Sequence, residues 1–361
     1  MEGQAKLRRR ALLRGGLGLG VAALGLDAIA ACAPKGASAP AAAALPSPET
    51  KNLRISWALC DAPYWMAGDF LREEGFIVDT FGKHLITDLG VQPLIQGDVN
   101  ISIQLANAFV GHVDAGQPLV ALGGLHPGCA QVWARPGISS ISDLRGKTVA
   151  VQTKTFSYNN KTSPNAIFGF LSTLLAHVGI APGAVNFVEI GPDLSPLDAF
   201  LAGKSDAYLA QAEQATLLQA NPKNPGKLIL DTTMDKPWSQ VYCCLVTANR
   251  DWAKANPVAA KRATRAILRS ADALTKDRHA AASAAIATGA FKASPEITEQ
   301  VVSDTIKDMS YEWRAYDPED TVRFYALQMS DAKLITKTPQ EIIAAGTDFA
   351  YFRQLRTELK A

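Results

Sequence analysis

The chain has 361 residues, of which 48% are hydrophobic and 19% charged, with a formal net charge of +2. This ordinary globular balance excludes wholesale disorder, collagen-like repeats and a multi-span membrane protein, and the length suits two domains of average size. Residues 1–32 hold five basic and two acidic side chains, so the remainder is close to neutral and offers no nucleic-acid surface.

The N-terminus reads as an address label. Arg9-Arg10-Ala11-Leu12-Leu13-Arg14 resembles a twin-arginine export signal, and an apolar Gly/Ala/Leu run follows from Gly15 to Leu26. That run is too short for a bilayer span of about 20 residues, and its charged leader fits a secretory signal. Ile29-Ala30-Ala31-Cys32 resembles a bacterial lipobox, which would make Cys32 the lipid-bearing first residue of the mature chain. Plain cleavage beside Ala28-Ile29-Ala30 is the alternative. Gly15-Gly16-Leu17-Gly18-Leu19-Gly20 mimics a nucleotide loop but precedes no domain, so that match is rejected. Residues 33–50 are Ala, Pro and Ser with almost no large apolar side chains, and are expected to form a flexible tether.

Folding is expected from Leu53, with strand-like alternation to Trp57, then a helical segment from Pro63 that ends at Gly75 as C′ residue. Phe76-Ile77-Val78 and Val91-Gln92-Pro93-Leu94-Ile95 read as strands, the latter confined to an edge by Pro93. Gly97-Asp98-Val99-Asn100 is expected to start a helix running to Gly111, followed by strands around 119–122 and 130–133. Thr148-Val149-Ala150-Val151 is a further strand. After a polar loop, Ser163-Pro164 are expected as N-cap and N1 of a helix whose Ile167, Phe170, Leu171, Leu174 and Val178 recur at helical spacing. A strand over 185–190 leads to a helix capped by Ser195 and Asp198 and closed by Gly203. Gly111-His112-Val113-Asp114-Ala115 is echoed by Gly203-Lys204-Ser205-Asp206-Ala207, which favours two lobes of similar build.

After a strand at 240–246 the chain reads as almost all helix, including Pro257 to Leu274 and a last helix opened by the capping box Thr338-Pro339-Gln340-Glu341. With no sheet of its own, this tail should pack back on the first lobe. The expected division is therefore export signal 1–32, tether 33–50, first lobe 51–135, second lobe 136–240, and a return to the first lobe over 241–361. Crossings near 134–138 and 238–244 would make a clamshell.

Several pieces recur in order across residues 53–275: Ala67-Gly68-Asp69-Phe70 with Glu74-Gly75-Phe76, the Gly111 and Gly203 turns, Ile141 with Asp143-Leu144-Arg145-Gly146-Lys147, and Asn256-Pro257. Together they resemble the substrate-binding proteins of the nitrate/sulfonate/taurine group of ABC importers. The segment between Asp79 and Gly90 is longer and more polar than the pattern. The resemblance implies an α/β, two-lobe type II periplasmic binding protein fold with a two-crossing hinge. It also implies capture of a small organic or anionic solute, delivery to a permease with its ATPase, a monomer, no cofactor, and membrane contact only through the lipid anchor.

In such a fold the solute sits at strand C-termini and helix N-termini, where free N–H groups and the helix dipole favour anions. The candidate ligand-binding residues are Trp57, Asp61 and Tyr64, Asn100, Tyr158 and Asn159, Asp193, and Trp238 near the return crossing. Trp57 serves equally well as a core residue. The five histidines are scattered without metal spacing, and His112 reads as a surface turn residue. Cys60, Cys129, Cys243 and Cys244 could pair in an oxidising compartment, although adjacent Cys243 and Cys244 read as buried small apolar residues in a strand. No catalytic or metal-binding residue is expected. The enzymatic alternative is a thiamine-pyrimidine synthase of the same superfamily, whose cysteine-rich cluster is missing save for the faint echo Cys243-Cys244. A sensor lobe of a signalling system is a third possibility.

Overall fold

Short runs of β-branched and aliphatic residues, most of them wholly buried, set the architecture. The computed structural model describes residues 46–361 apart from 57–59, 61, 83–90, 192, 288–297, 308 and 361. The chain divides at residue 43, and 44–361 form one compact unit. The expected export signal, Cys32 and the expected tether up to residue 45 therefore lie outside the described residues.

The strands are β1 (Asn52–Ser56), β2 (Ile77–Gly82), β3 (Ile101–Leu105), β4 (Leu119–Pro127), β5 (Ala130–Ala134), β6 (Thr148–Val151), β7 (Thr155–Tyr158), β8 (Lys161–Pro164), β9 (Asn186–Glu189), β10 (Ala207–Gln211), β11 (Lys227–Asp231) and β12 (Tyr242–Asn249). They form one five-stranded sheet ordered β2-β1-β3-β12-β4, a second ordered β11-β5-β10-β6-β9, and the hairpin β7-β8. The first sheet is parallel except for β12, which runs antiparallel to both β3 and β4. In the second, β6, β9 and β10 are parallel, and β5 is antiparallel to β10 and β11. Helices connect and cover the strands, as parallel pairing requires.

The order of strands makes the second sheet an insertion into the first. The chain leaves the first sheet at Gly128–Cys129 and returns over residues 232–241. The expected first crossing near 134–138 is thus too late: β5 pairs with β10 and β11, not with the first sheet. Thr232, almost fully buried, holds the two passages together. Its hydroxyl accepts from the N–H groups of Cys129 (3.1 Å) and Ala130 (2.9 Å) and donates to the Ala130 carbonyl (2.7 Å). All of this hydroxyl's hydrogen-bonding capacity is used where water is excluded.

Other expectations are corrected locally. Val91–Gln96 is a helix and Ile101–Leu105 a strand, the reverse of the sequence reading. All five residues of β3 are buried between β1 and β12, and its alternation Ile101-Ser102-Ile103-Gln104-Leu105 is that of a strand; the helix-start pattern at Gly97-Asp98-Val99-Asn100 competes with it in the sequence. The polar stretch after β6 is a hairpin turning at Asn159 and Asn160, both with positive φ (50° and 57°), a conformation asparagine tolerates. Pro164 ends β8, so Asn165 rather than Ser163 caps the helix Ala166–His177, accepting from the Ile167 N–H at 3.0 Å. Gly111 lies inside the helix Ala106–Asp114 while Gly203 follows a helix with φ of 79°, so the two glycines are not equivalent.

The end of the expected tether is docked. The Glu49 carboxylate accepts from Val258 N–H (3.0 Å) and Ala259 N–H (2.8 Å) at the start of the helix Pro257–Leu274, and the Pro46 carbonyl accepts from Arg262 Nε at 2.8 Å. Burial opposes the charge on Glu49, but the backbone N–H groups of Val258, Ala259 and Glu49 itself outweigh it and hold the carboxyl below its usual value. The same helix is tied down by Glu74, whose buried carboxylate receives Arg262 at 3.0 Å and Arg265 at 2.7 and 2.6 Å. No described helix is long and apolar enough to cross a membrane.

Gly128 has a φ of 46°, and a Cβ there would collide with the Thr232 carbonyl. Gly128→Ala is expected to destabilise the protein by about 2–4 kcal/mol from strain and overpacking at the passage. Urea unfolding would measure it, and an unchanged midpoint would contradict this account of the crossing.

Candidate functional site

Parallel strands place their C-termini along a common edge. In the first sheet that edge holds the residues after β1, β3 and β4 and the start of β12; in the second it holds the ends of β6, β9, β10 and β11 and the start of β5. Ligands of open α/β sheets bind at such carboxyl edges.

A cavity of about 310 Å³ sits at this edge of the second sheet, bordered by Gln152, Thr153, Asn165, Ser195, Gln211 and Gln214. Two helices start here, Ala166–His177 and Pro196–Leu201, with caps Asn165 and Ser195; Ser195 Oγ accepts from the Asp198 N–H at 3.0 Å. Gln214 Oε1 accepts from the Gln211 N–H (3.0 Å) and the Tyr208 hydroxyl (2.8 Å), fixing the third polar corner. Burial pushes the Tyr208 phenol above its usual value, so it stays a proton donor. Amides and hydroxyls over the apolar Leu171 and Leu209 suit a small polar solute with an apolar portion.

A second cavity of about 230 Å³ lies at the passage between the sheets, its wall including Cys129, Gln131, Thr216, Asp231 and Thr305. Gln131 Nε2 donates to Asp231 (2.8 Å) while its Oε1 accepts from Trp133 Nε1 (3.0 Å) and Gln219 (3.2 Å). A larger cavity of about 500 Å³ is bordered by Val120, Leu122 and Arg250 at the opposite edge of the first sheet, where the parallel strands start and only the antiparallel β12 ends.

The four described cysteines meet beside the second cavity. Cys129 Sγ lies 2.7 Å from Cys243 Sγ and 3.9 Å from Cys244 Sγ, and Cys60, Cys129 and Cys244 all come within 4.8 Å of one another. Cys60 follows β1, Cys129 follows β4, and Cys243 and Cys244 open β12. All four are buried. The hydrogen bond with Cys243, then burial, push the Cys129 thiol up to about 12, and burial raises Cys244 as well. Neutral, enclosed thiols are poor nucleophiles. Sequence spacing gave no metal set because the three groups come from three distant stretches; only the sheet edge unites them.

The sequence-predicted residues scatter. Trp57 and Asp61 lie outside the described residues. Tyr64 is core, its hydroxyl donating to the Ser102 carbonyl at 2.9 Å. Asn100 precedes β3 at the amino edge, where its Oδ1 accepts from the Arg54 N–H at 2.9 Å, so it caps a sheet end rather than facing the cleft. The hairpin bearing Tyr158 and Asn159 is docked elsewhere: Gln117 Nε2 donates to the Tyr158 carbonyl (3.3 Å) and Lys161 Nζ to the Gly116 carbonyl (2.6 Å). Trp238 is 3% exposed and packs with His177, Phe324 and Phe170 at ring separations of 5.4, 5.3 and 6.1 Å, which makes it a core residue. Asp193 is exposed in the turn before Ser195 and is not among the residues that border the first cavity. Gln152, Asn165, Gln211 and Gln214 were missed. A strand ending in a polar residue before a helix, as at Gln211-Ala212, was the available signal.

His112 is also corrected. It is buried within the helix Ala106–Asp114, with Nδ1 2.9 Å from Ser163 Oγ and its ring edge-on to Phe156 at 5.3 Å.

The site and the two-sheet arrangement define the periplasmic-binding-protein fold. Solved structures similar to this chain include the alkanesulfonate-binding protein SsuA of Xanthomonas axonopodis pv. citri bound to MOPS, at 15% identity and a TM-score of 0.63, covering 84% of this chain and 99% of that one. The periplasmic nitrate-binding protein NrtA of Synechocystis PCC 6803 aligns at 12% identity and a TM-score of 0.66, covering 87% and 90%. The periplasmic aliphatic sulphonate binding protein SsuA of Escherichia coli aligns at 16% identity and a TM-score of 0.60, covering 84% and 99%. No curated protein matches the sequence. The family model described as NMT1/THI5 like matches residues 70–281, more than half of the chain, and the protein belongs to that family.

Burial lowers the His112 pKa to about 4 from an ordinary 6.5. A folded-state value below the unfolded one means that the neutral ring stabilises the fold above pH 6.5, and that this contribution is lost as pH falls toward 4. The loss is about 3 kcal/mol. Thermal unfolding across this range is expected to show an acid-side decline that is absent in His112→Gln; identical profiles would overturn the assignment.

Proposed function

We propose that the protein is the extracytoplasmic solute-binding component of an ABC importer, not an enzyme, taking up a small organic or anionic solute and passing it to a permease and its ATPase. The observation that carries this reading is the insertion of one sheet into the other through two adjacent passages, with a polar cavity at the carboxyl edge. Two sheet-bearing lobes linked this way can close on a ligand, and closure is favoured only by the ligand's extra affinity for the closed state. The first lobe takes residues 51–128 and 241–361, the second 129–240. Similarity to proteins named for binding alkanesulfonate and nitrate supports an oxyanion-bearing solute. The cavity's amides, helix starts and apolar floor favour an organic sulfonate or carboxylate over nitrate.

In this reading Gln152, Asn165, Ser195 and Gln211 hold the polar group. The protein acts as a monomer, exported by the twin-arginine signal and anchored at the outer face of the membrane through Cys32. The buried Cys129 thiol, pushed up to about 12, is not an activated nucleophile, in keeping with capture rather than thiol chemistry.

Thermal denaturation with alkanesulfonates, taurine, nitrate, aromatic acids and pyrimidines is expected to raise the midpoint with one organic oxyanion class, because only native protein binds it. Gln152→Ala should weaken that ligand by roughly 10- to 150-fold, the worth of one hydrogen bond to a charged group, and leave the ligand-free midpoint unchanged because the side chain is exposed. No shift with any class would sink the importer reading. Cys32→Ser is expected to release the protein from membranes, checked by fractionation; retention would mean the leader itself is the anchor.

A further inference from the structure

The geometry points to a binding site for one thiophilic d10 cation, Zn(II) or Cu(I), made by Cys60, Cys129 and Cys244, with Cys243 packed against it. This inference is independent of the importer reading, since it depends on the thiols alone.

Every described cysteine converges on this point, although they arrive from three separate parts of the sequence. Two thiolates sharing a tetrahedral ion at about 2.3 Å would lie about 3.8 Å apart. The Cys129–Cys244 separation of 3.9 Å matches that spacing without movement. Cys60 is within 4.8 Å of both, so a small shift of one loop side chain completes a three-sulfur site. Cys243 stands differently. At 2.7 Å from Cys129 it is too close to be a second ligand on the same ion, and it packs directly against the Cys129 sulfur. Three thiolates select soft cations over Mg(II), Ca(II) or Mn(II).

The surroundings hold these groups in place. The Cys60 carbonyl accepts from the Tyr311 hydroxyl at 3.0 Å, the Cys129 N–H donates to Thr232 Oγ1 at 3.1 Å, and Cys244 is fixed in β12 against both β3 and β4. Such support of the ligating residues is what a preorganised site requires. Access exists as well, because Cys129 is part of the wall of the cavity at the passage. Binding would proceed by loss of a proton from each ligating thiol to solvent as its S–metal bond forms, with no change in oxidation state.

Full-length, reduced protein titrated anaerobically with Cd(II), a spectroscopic stand-in for Zn(II), is expected to develop a sulfur-to-metal charge-transfer band that saturates at one equivalent. Cys32→Ser should leave the band intact, while Cys60→Ser or Cys244→Ser, verified as folded by circular dichroism, should abolish it or weaken binding by at least 10-fold. X-ray absorption on the Zn(II)-loaded wild type needs no variant and should show sulfur neighbours at about 2.3 Å. A titration without such a band, oxygen or nitrogen neighbours only, or a band that survives both substitutions would each overturn the site. Loss of metal binding alongside intact solute binding would separate this inference from the importer reading.

Discussion

The first sheet is held together by a strand that arrives last. β12 slots antiparallel between β3 and β4, and all eight of its residues are buried. Leu245 and Val246 are fully enclosed, a burial worth about 1.5–3 kcal/mol for each such side chain. By comparison, exposed ion pairs such as Arg72–Asp69 contribute about 0–1 kcal/mol. Polar groups on the strand are answered too: Thr247 Oγ1 donates to the Ser102 carbonyl at 2.8 Å, and the Tyr242 hydroxyl reaches the carbonyl of Tyr316 at 2.9 Å. Close packing at this strand also explains Gly124, where any Cβ would strike the Tyr242 ring.

With β12 in place, everything functional follows from where strand ends lie. The same constraint that brings β11 back to β12 sets the two passages side by side at Thr232. It aligns the carboxyl edges, opens the cavities there, and collects cysteines from positions 60, 129, 243 and 244 at one spot. None of these groups needs to be near another in sequence. The site is a property of the topology, and each side chain is positioned by a strand end rather than by a local motif.

That distinction separates what could be read from the sequence from what could not. Elements specified by local chemistry were legible: the Ser195–Asp198 and Thr338–Glu341 capping boxes, β6, and the helix Pro257–Leu274 all stand as expected. The α/β class, the resemblance and the helical tail were legible for the same reason. Failures came where tertiary context overrode local pattern. β3 keeps a strand's alternation, but the turn-like Gly97-Asp98-Val99-Asn100 before it reads locally as a helix start, and β5 belongs to the second sheet because its partners lie in β10 and β11. Site residues fared worst. Tyr64 and Trp238 are aromatic and amphipathic, and nothing local distinguishes a cleft wall from a core position whose polar tip finds a buried partner. Conversely, Gln152 and Gln211 are unremarkable polar residues until the ends of β6 and β10 place them on one cavity.

The late arrival of β12 also dictates an order of assembly. Thr247 and its partner Ser102 are 145 residues apart, so this contact carries a large loop-closure cost and is slow to form. All five strands of the second sheet have been synthesised by residue 231, before β12 begins at Tyr242. During that interval β3 and β4 present unpaired backbone edges flanked by apolar side chains, the kind of surface that templates pairing with a second chain. The inserted sheet can therefore complete itself while its host is still open, and the edges of β3 and β4 are covered only when β12, the strand that follows the second passage, has been made.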